Sequence, residues 1–332
     1  MRIGYLGTGS WGYCLAYLLA SKGYEVVCWG IEASVVHQLN EKREHPFLRG
    51  YKAPDNMRFT TDLQETLENA DLIVESVTSA GLRSVCERLK SMNQCSVPFV
   101  ITSKGIEQKT GLSLPEVAVE VFGSHAKDFV GIISGPSFAQ EVVQGLPTSV
   151  VASAYSVDVM QKISDAFTTP FFRVYTNSDI LGVAYGGALK NVIAIACGIS
   201  DGLGLGNSSK AALMTRGLHE ISKLAVARGC ESQTLYGLSG MGDLCLTCGS
   251  LMSRNYRFGY LLAEGMNTSE AQKKIGMVVE GSYTCVSVLK LGRELQIPMP
   301  ITEVVHKIIY EGMNPKEAVQ LLMQRKIKEE HL

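Results

Sequence analysis

The chain lacks a charge bias. Lys and Arg number 31 and Asp and Glu number 32, so the formal net charge is −1. A broad basic field for nucleic acid or an anionic membrane is therefore missing, although a local anion site is not excluded. A long apolar run is missing too. The best candidate, Leu181 to Ile199, is interrupted by Lys190 and Asn191, short of the ~18 uninterrupted apolar residues of a membrane span. Nor is there a disulfide framework. The nine cysteines, at 14, 28, 86, 95, 197, 230, 245, 248 and 285, are odd in number and irregular in spacing. Reduced thiols in a reducing compartment are expected. No cleavable leader is expected, because a glycine loop opens at Gly7, directly after the first apolar run. These absences predict a cytoplasmic protein with neither nucleic acid nor membrane among its partners.

Metal-ligand spacing is also scarce. Cys245-Leu-Thr-Cys248 is a C-x-x-C, but no second ligand pair stands nearby, and no thioredoxin-like strand precedes it. His219-Glu220 begins like a zinc-protease motif, yet Lys223 stands where a second His is needed. His37, His45, His125, His306 and His331 are scattered. No metal is expected. Met241, Met252, Met266 and Met277 read as packing residues, and Arg325–Glu330 as a solvated charge run.

What is present is a sizeable apolar core. Hydrophobic residues make up 46% and charged residues 19% of 332 positions, which excludes wholesale disorder and suits about two domains. Short β-branched runs bounded by Gly, Pro, Ser or Asp read as buried strands at 2–6, 25–29, 72–77, 98–102, 130–134, 149–153 and 172–175. Helical patterns at 11–22, 32–42, 82–92 and 157–167 alternate with them. Alternation of this kind implies a parallel sheet covered on both faces. The strands after Val130 are closer together, so part of the sheet is open to an antiparallel or mixed arrangement. Beyond about Asp179 helix signals dominate, ending with an Asn314-Pro315 start. The expected fold is α/β plus all-α: a Rossmann-like doubly wound sheet over residues 1–183 and a helical domain over 184–332.

Gly7-Thr8-Gly9-Ser10-Trp11-Gly12 is a G-x-G-x-x-G between a strand and a helix. Gly7 allows the turn, Gly9 the approach of a pyrophosphate, and Gly12 close helix–strand packing. The free N–H groups of the helix start favour phosphate. NAD or NADP is the cofactor expected. The second strand ends Cys28-Trp29-Gly30-Ile31-Glu32, with neither an acid at the usual ribose position nor a cation for a 2′-phosphate. Preference between the two stays open.

Lys190 stands in an apolar helical run, Gly186 to Ala196. It is either a lysine snorkelling out of a core helix or a desolvated acid/base near neutral pH. The run from Gly187 to Asn207 closely resembles the signature of NAD(P)-dependent glycerol-3-phosphate dehydrogenases of the bacterial soluble type. Further segments resemble the same family in order: Ser103-Lys104-Gly105, Gly135 to Glu141, Thr215-Arg216-Gly217, Gly240 to Leu244, Ser253-Arg254-Asn255, Val278 to Gly281 and Pro300 to Glu303.

The resemblance implies reversible hydride transfer between dihydroxyacetone phosphate and sn-glycerol 3-phosphate, in a homodimer that supplies phospholipid synthesis. It implies Lys190 as the proton acceptor in alcohol oxidation, Lys104 as a second lysine on substrate and cofactor, and Asp243 as a carboxylate orienting Lys190. It implies substrate contacts at Gly135, Ser137, Asn191, Ser253, Arg254 and Asn255. It implies cofactor contacts at Ser10, Trp11, Ala139, Arg254, Val278 and Glu280, beside the glycine loop. Two rivals remain: a β-hydroxyacid dehydrogenase of the same architecture, and a dinucleotide sensor without turnover. Glu75 departs from the family's unbroken apolar fourth strand. A carboxyl there is costly unless it pairs locally or meets a partner chain.

Overall fold

A computed structural model describes residues 1–93, 96–327 and 329–330. Cys95, Lys328 of the charge run and His331 lie outside the described residues. The strands are β1 (Arg2–Leu6), β2 (Glu25–Trp29), β3 (Met57–Thr60), β4 (Leu72–Glu75), β5 (Phe99–Ile101), β6 (Val130–Ser134), β7 (Thr148–Ala154) and β8 (Phe172–Asn177). They form one sheet in the order β3-β2-β1-β4-β5-β6-β7-β8. The pairings from β3 to β6 are parallel, β6 meets β7 antiparallel, and β7 pairs β8 parallel. The sheet is thus mixed beyond Val130, where the strand spacing had left that open.

Helices α1 (Ser10–Ser21), α2 (Ala33–Lys42), α3 (Leu63–Leu67), α4 (Leu82–Ser91), α5 (Leu114–Phe122), α6 (Ala139–Val143) and α7 (Val157–Phe167) cover both faces. Strand residues alternate between two cores. Ile3, Tyr5 and Val74 join Leu15, Leu39 and Phe167 on one face. Leu6, Ile73 and Phe99 join Leu67, Leu89 and Phe122 on the other. Strand order reverses between β1 and β4, and that crevice is where doubly wound sheets bind ligands.

Two strand expectations need correction. β3 had not been anticipated: its Arg58 is exposed and it pairs only with β2, so it carries little apolar signal. β4 stops at Glu75 instead of Val77, because the chain there turns into the loop 76–79.

The rest is helical: α8 (Ile180–Gly202), α9 (Gly206–Ala227), α10 (Ser232–Leu235), α11 (Asp243–Cys248), α12 (Arg254–Ala263), α13 (Thr268–Ile275), α14 (Glu280–Glu294), α15 (Pro300–Tyr310) and α16 (Pro315–Met323). Asn267 and Glu270 form a capping box on α13, and Asn314 caps α16 ahead of Pro315. α8 is buried along nearly its whole length. By length and composition it could cross a membrane, but 94% of that window is buried inside the fold, so it is a core helix. α12 crosses it at backbone contact. A Cβ on Gly198 would strike the carbonyl oxygen of Tyr256, and one on Gly259 that of Ile195.

Candidate active site

The glycine loop lies at the switch point. Gly7 has φ +114°, and a Cβ there would come 2.6 Å from the carbonyl oxygen of Ser76. A Cβ on Gly12 would strike the carbonyl oxygen of Gly7, so this glycine brings α1 against the strand end. Gly9 faces open space, with nothing within 4 Å of an added Cβ. Gly9 is also the N-cap of α1 and provides no side-chain cap, so the first-turn N–H groups, Ser10 and Trp11 among them, are left for an anion. The Trp11 Nε1 is buried without a hydrogen-bond partner among the described residues. An open cradle of unpartnered donors fits a dinucleotide pyrophosphate. Ala139 opens α6 beside this loop, its carbonyl accepting from the Cys14 thiol.

At the end of β2, Trp29 turns away from any ribose. It is buried, its Nε1 donates to the Thr61 carbonyl, and the Arg88 guanidinium lies 5.1 Å over its ring. Ile31 and Glu32 are exposed beyond it.

The charged centre is built from three side chains far apart in sequence. Lys190, at mid-length in α8, is 7% exposed, and Asp243, which opens α11, is 1% exposed. The Lys190 ammonium donates to Asp243 Oδ1 and, at 2.6 Å, to Thr247 Oγ1. Lys104, just beyond β5, donates to Asp243 Oδ2 at 2.5 Å and to the Gly135 carbonyl at 3.2 Å. Asp243 therefore bridges two cations, and Thr247, one turn further along α11, completes the Lys190 shell. Burial lowers Lys190 to about 8, with Asp243 opposing that shift and Lys104 adding to it.

Around this centre, Ser137 Oγ donates to the Gly135 carbonyl at 3.1 Å. The Ser134 hydroxyl, at the end of β6, is buried without a hydrogen-bond partner among the described residues. Gly187 lies under it and beside the Lys104 stem, where a Cβ would come 2.5 Å from Ser134 Oγ. Ser253 caps α12 by accepting from Tyr256 N. Arg254 follows, partly buried, and its guanidinium makes no hydrogen bond to a described residue. Burial lowers it from its ordinary value and Glu280 counteracts that. The Asn255 amide is spent on structure: its Nδ2 donates to Asn191 Oδ1 at 3.0 Å, and its Oδ1 accepts from Gly281 N at 2.9 Å. Val278 is exposed just before α14. Glu280 reaches across to Ser79, accepting from its N at 3.3 Å and from its Oγ at 2.5 Å.

The sequence reading missed Thr247, Ser79 and Ser134. Thr247 lies inside the C-x-x-C stretch, and its usable signal is the i, i+4 spacing from Asp243. Cys248 is buried and Cys245 exposed. Among the described residues, no group of three or more His, Cys, Asp or Glu could hold a metal ion.

A doubly wound sheet with a glycine cradle at its switch point, facing a buried lysine–carboxylate centre, defines a nicotinamide-dinucleotide-dependent oxidoreductase. The comparisons narrow the class. Residues 2–160 match the family model for the NAD-dependent glycerol-3-phosphate dehydrogenase N-terminus, and residues 179–320 that for its C-terminus. The chain belongs to the NAD-dependent glycerol-3-phosphate dehydrogenase family. It is similar to the glycerol-3-phosphate dehydrogenase [NAD(P)+] of Protochlamydia amoebophila, 62% identical over 100% of this chain and 99% of the relative. It is 54% identical, over the same shares, to the Chlamydia pneumoniae enzyme of the same name. Among solved structures, the glycerol-3-phosphate dehydrogenase of Coxiella burnetii superposes with a TM-score of 0.93 at 38% identity, covering 98% of this chain and 99% of that one.

Proposed function

We propose that this chain interconverts dihydroxyacetone phosphate and sn-glycerol 3-phosphate, with Lys190 carrying the proton. The observation that carries this reading is the buried Asp243 carboxylate shared between Lys190 and Lys104. Bound at the glycine loop, NADH or NADPH supplies hydride to the C2 carbonyl. Lys190 and Lys104, as ammonium groups, stabilise the negative charge that develops on the carbonyl oxygen, and Lys190 gives that oxygen its proton. In the reverse direction, the neutral amine of Lys190 takes the proton from the C2 hydroxyl. Asp243 holds both lysines in place, and Thr247 fixes the Lys190 amine from a second side. A lysine lowered to about 8 exchanges its proton near neutral pH, which an ordinary surface lysine does not.

The substrate phosphate is assigned to Arg254 and the N-terminus of α12. An uncommitted guanidinium beside free helix N–H groups suits a phosphate. Gly135, Ser137 and Ser253 are assigned to substrate with it. Asn191 is assigned to substrate as well, and Asn255 acts there through the arrangement it imposes on α8, α12 and α14, since both ends of its amide are engaged, with Asn191 and with Gly281. Ala139, Val278 and Glu280 are assigned to the cofactor, with the glycine loop. We divide the chain at 183/184, within the first turn of α8. The reading extends to a cytoplasmic homodimer whose product feeds phospholipid synthesis, supported by kinship with the family.

The test follows the absorbance of reduced nicotinamide with dihydroxyacetone phosphate, using NADH and NADPH in parallel. Substrate-dependent oxidation is the expected result, and the ratio of rates gives the cofactor preference. A folded protein that binds dinucleotide but leaves both unoxidised would point instead to another hydroxyacid substrate.

A further inference from the structure

Glu75 is the last residue of β4, between Leu6 of β1 and Ile101 of β5, and is completely buried. Its neighbours on the strand, Ile73 and Val74, are apolar, and an apolar side chain here would complete the core at lower cost. The carboxyl instead joins two loops. Val77 N donates to Oε1 at 2.6 Å. Ser103 Oγ lies 3.0 Å from Oε1 and 2.7 Å from Oε2. The first loop, 76–79, carries Ser79, which holds Glu280 of α14. The second, 102–105, carries Lys104. The loops also touch directly, since a Cβ on Gly105 would come 2.5 Å from the Cβ of Ser79. Both are strand-end loops of the dinucleotide crevice; Thr102 N still donates to the Glu75 carbonyl at 2.9 Å and the Ser76 and Thr102 hydroxyls are hydrogen-bonded, while beyond Thr102 the Glu75 carboxyl is what reaches Ser103. Burial raises Glu75 to about 8, so around pH 7 it is mostly a neutral acid, able to bond at both oxygens without adding charge to the site.

We propose that Glu75 is a positioning residue that clasps loops 76–79 and 102–105 and, through Ser103, sets Lys104 against Asp243 and the substrate carbonyl. The proposal rests on the reading of Lys104 and Lys190 as the reaction centre.

The test compares Glu75→Leu, Glu75→Gln and Ser103→Ala in full-length protein. It measures kcat and KM for dihydroxyacetone phosphate, dinucleotide affinity by tryptophan quenching, and thermal melting. Displaced Lys104 should lower kcat of Glu75→Leu by about 10- to 100-fold, while KM and dinucleotide affinity change by less than about threefold. In Glu75→Gln the amide oxygen accepts from Val77 and the amide N–H donates to Ser103, which should bring kcat back to within about threefold of wild type. Ser103→Ala should lower kcat in the sense of Glu75→Leu. If Glu75→Leu fails to fold, Ser103→Ala and Glu75→Gln decide between the outcomes. The clasp is overturned by wild-type kcat in Glu75→Leu or Ser103→Ala, by kcat losses that merely track melting or dinucleotide affinity, or by Glu75→Gln no better than Glu75→Leu. Wild-type protein without turnover would overturn the functional reading itself. Turnover in wild type with unaltered variants overturns only the clasp.

Discussion

Lys104 and Lys190 occupy the two oxygens of one carboxylate, and they arrive from different layers of the fold. Lys104 comes from the loop after β5 in the sheet, and Lys190 from the centre of the buried helix α8. Asp243 is the rivet between them. Two cations next to one buried anion leave the site a formal surplus of positive charge, which suits a substrate with a phosphate and a developing alkoxide.

If Lys190 carries the proton as proposed, removing it should spare binding and sharply lower turnover. Lys190→Ala should lower kcat by about 10²- to 10⁴-fold, the span of general acid–base catalysis. Dinucleotide affinity, followed by tryptophan quenching, should stay near wild type. A kcat within a few-fold of wild type would remove Lys190 from the mechanism.

Opposite directions of reaction should respond oppositely to pH. On the proposed mechanism carbonyl reduction uses the ammonium form of Lys190, so its kcat should fall as pH rises through about 8. Alcohol oxidation uses the free amine, so its kcat should rise through the same region. Steady-state profiles taken in both directions on one preparation check the pairing. Two profiles that move together would argue against a shared lysine.

Arg254→Ala should separate substrate from cofactor. A charge-assisted hydrogen bond contributes about 1.5–3 kcal/mol, so KM for dihydroxyacetone phosphate should rise roughly 10- to 100-fold. Dinucleotide affinity should change far less. Equal loss of both would move the phosphate away from α12.

Gly9→Ala and Gly12→Ala should part in an instructive way. An added methyl at Gly9 meets no protein atom, so melting should hold while dinucleotide affinity collapses. At Gly12 the methyl strikes the Gly7 carbonyl, so stability itself should drop, as expected for overpacking. Calorimetry together with a binding titration distinguishes the two.

Two buried carboxyls should make stability fall as pH rises from about 4.5 to 8. Burial raises Glu75 to about 8 and Glu220 to about 7, both above the unfolded carboxyl value. At these two groups the folded protein binds more protons than the unfolded chain between roughly pH 4.5 and 8, so their contribution to stability falls as pH rises across that window. Glu75→Gln should flatten part of the slope in melting temperature between pH 6 and 8.5. An unchanged slope would mean that Glu75 does not titrate there.

Much of this was legible in the chain. The G-x-G-x-x-G spacing between a strand and a helix made the dinucleotide loop readable from Gly7, Gly9 and Gly12. Lys190 stood out because a cation inside an apolar helix needs a reason. Side-chain pairings across long sequence distances were not readable. Nothing in the order of residues says that Asn255 spends its amide on Asn191 and Gly281, or that Ser103 answers Glu75. β3 escaped notice because an edge strand with an exposed Arg58 carries no apolar alternation strong enough to see.

The glycine crossing of α8 and α12 has a meaning for substrate choice. In the proposed mechanism one helix holds the proton carrier and the other the phosphate clamp, and the two helices touch backbone to backbone at Gly198 and Gly259. The gap between ammonium and guanidinium is therefore a calliper with a welded joint. On the proposed reading the backbones gauge the distance from carbonyl to phosphate, and side chains adjust it only by their own reach. Moving the two helices apart for a longer phosphorylated ketone would require reworking the weld itself.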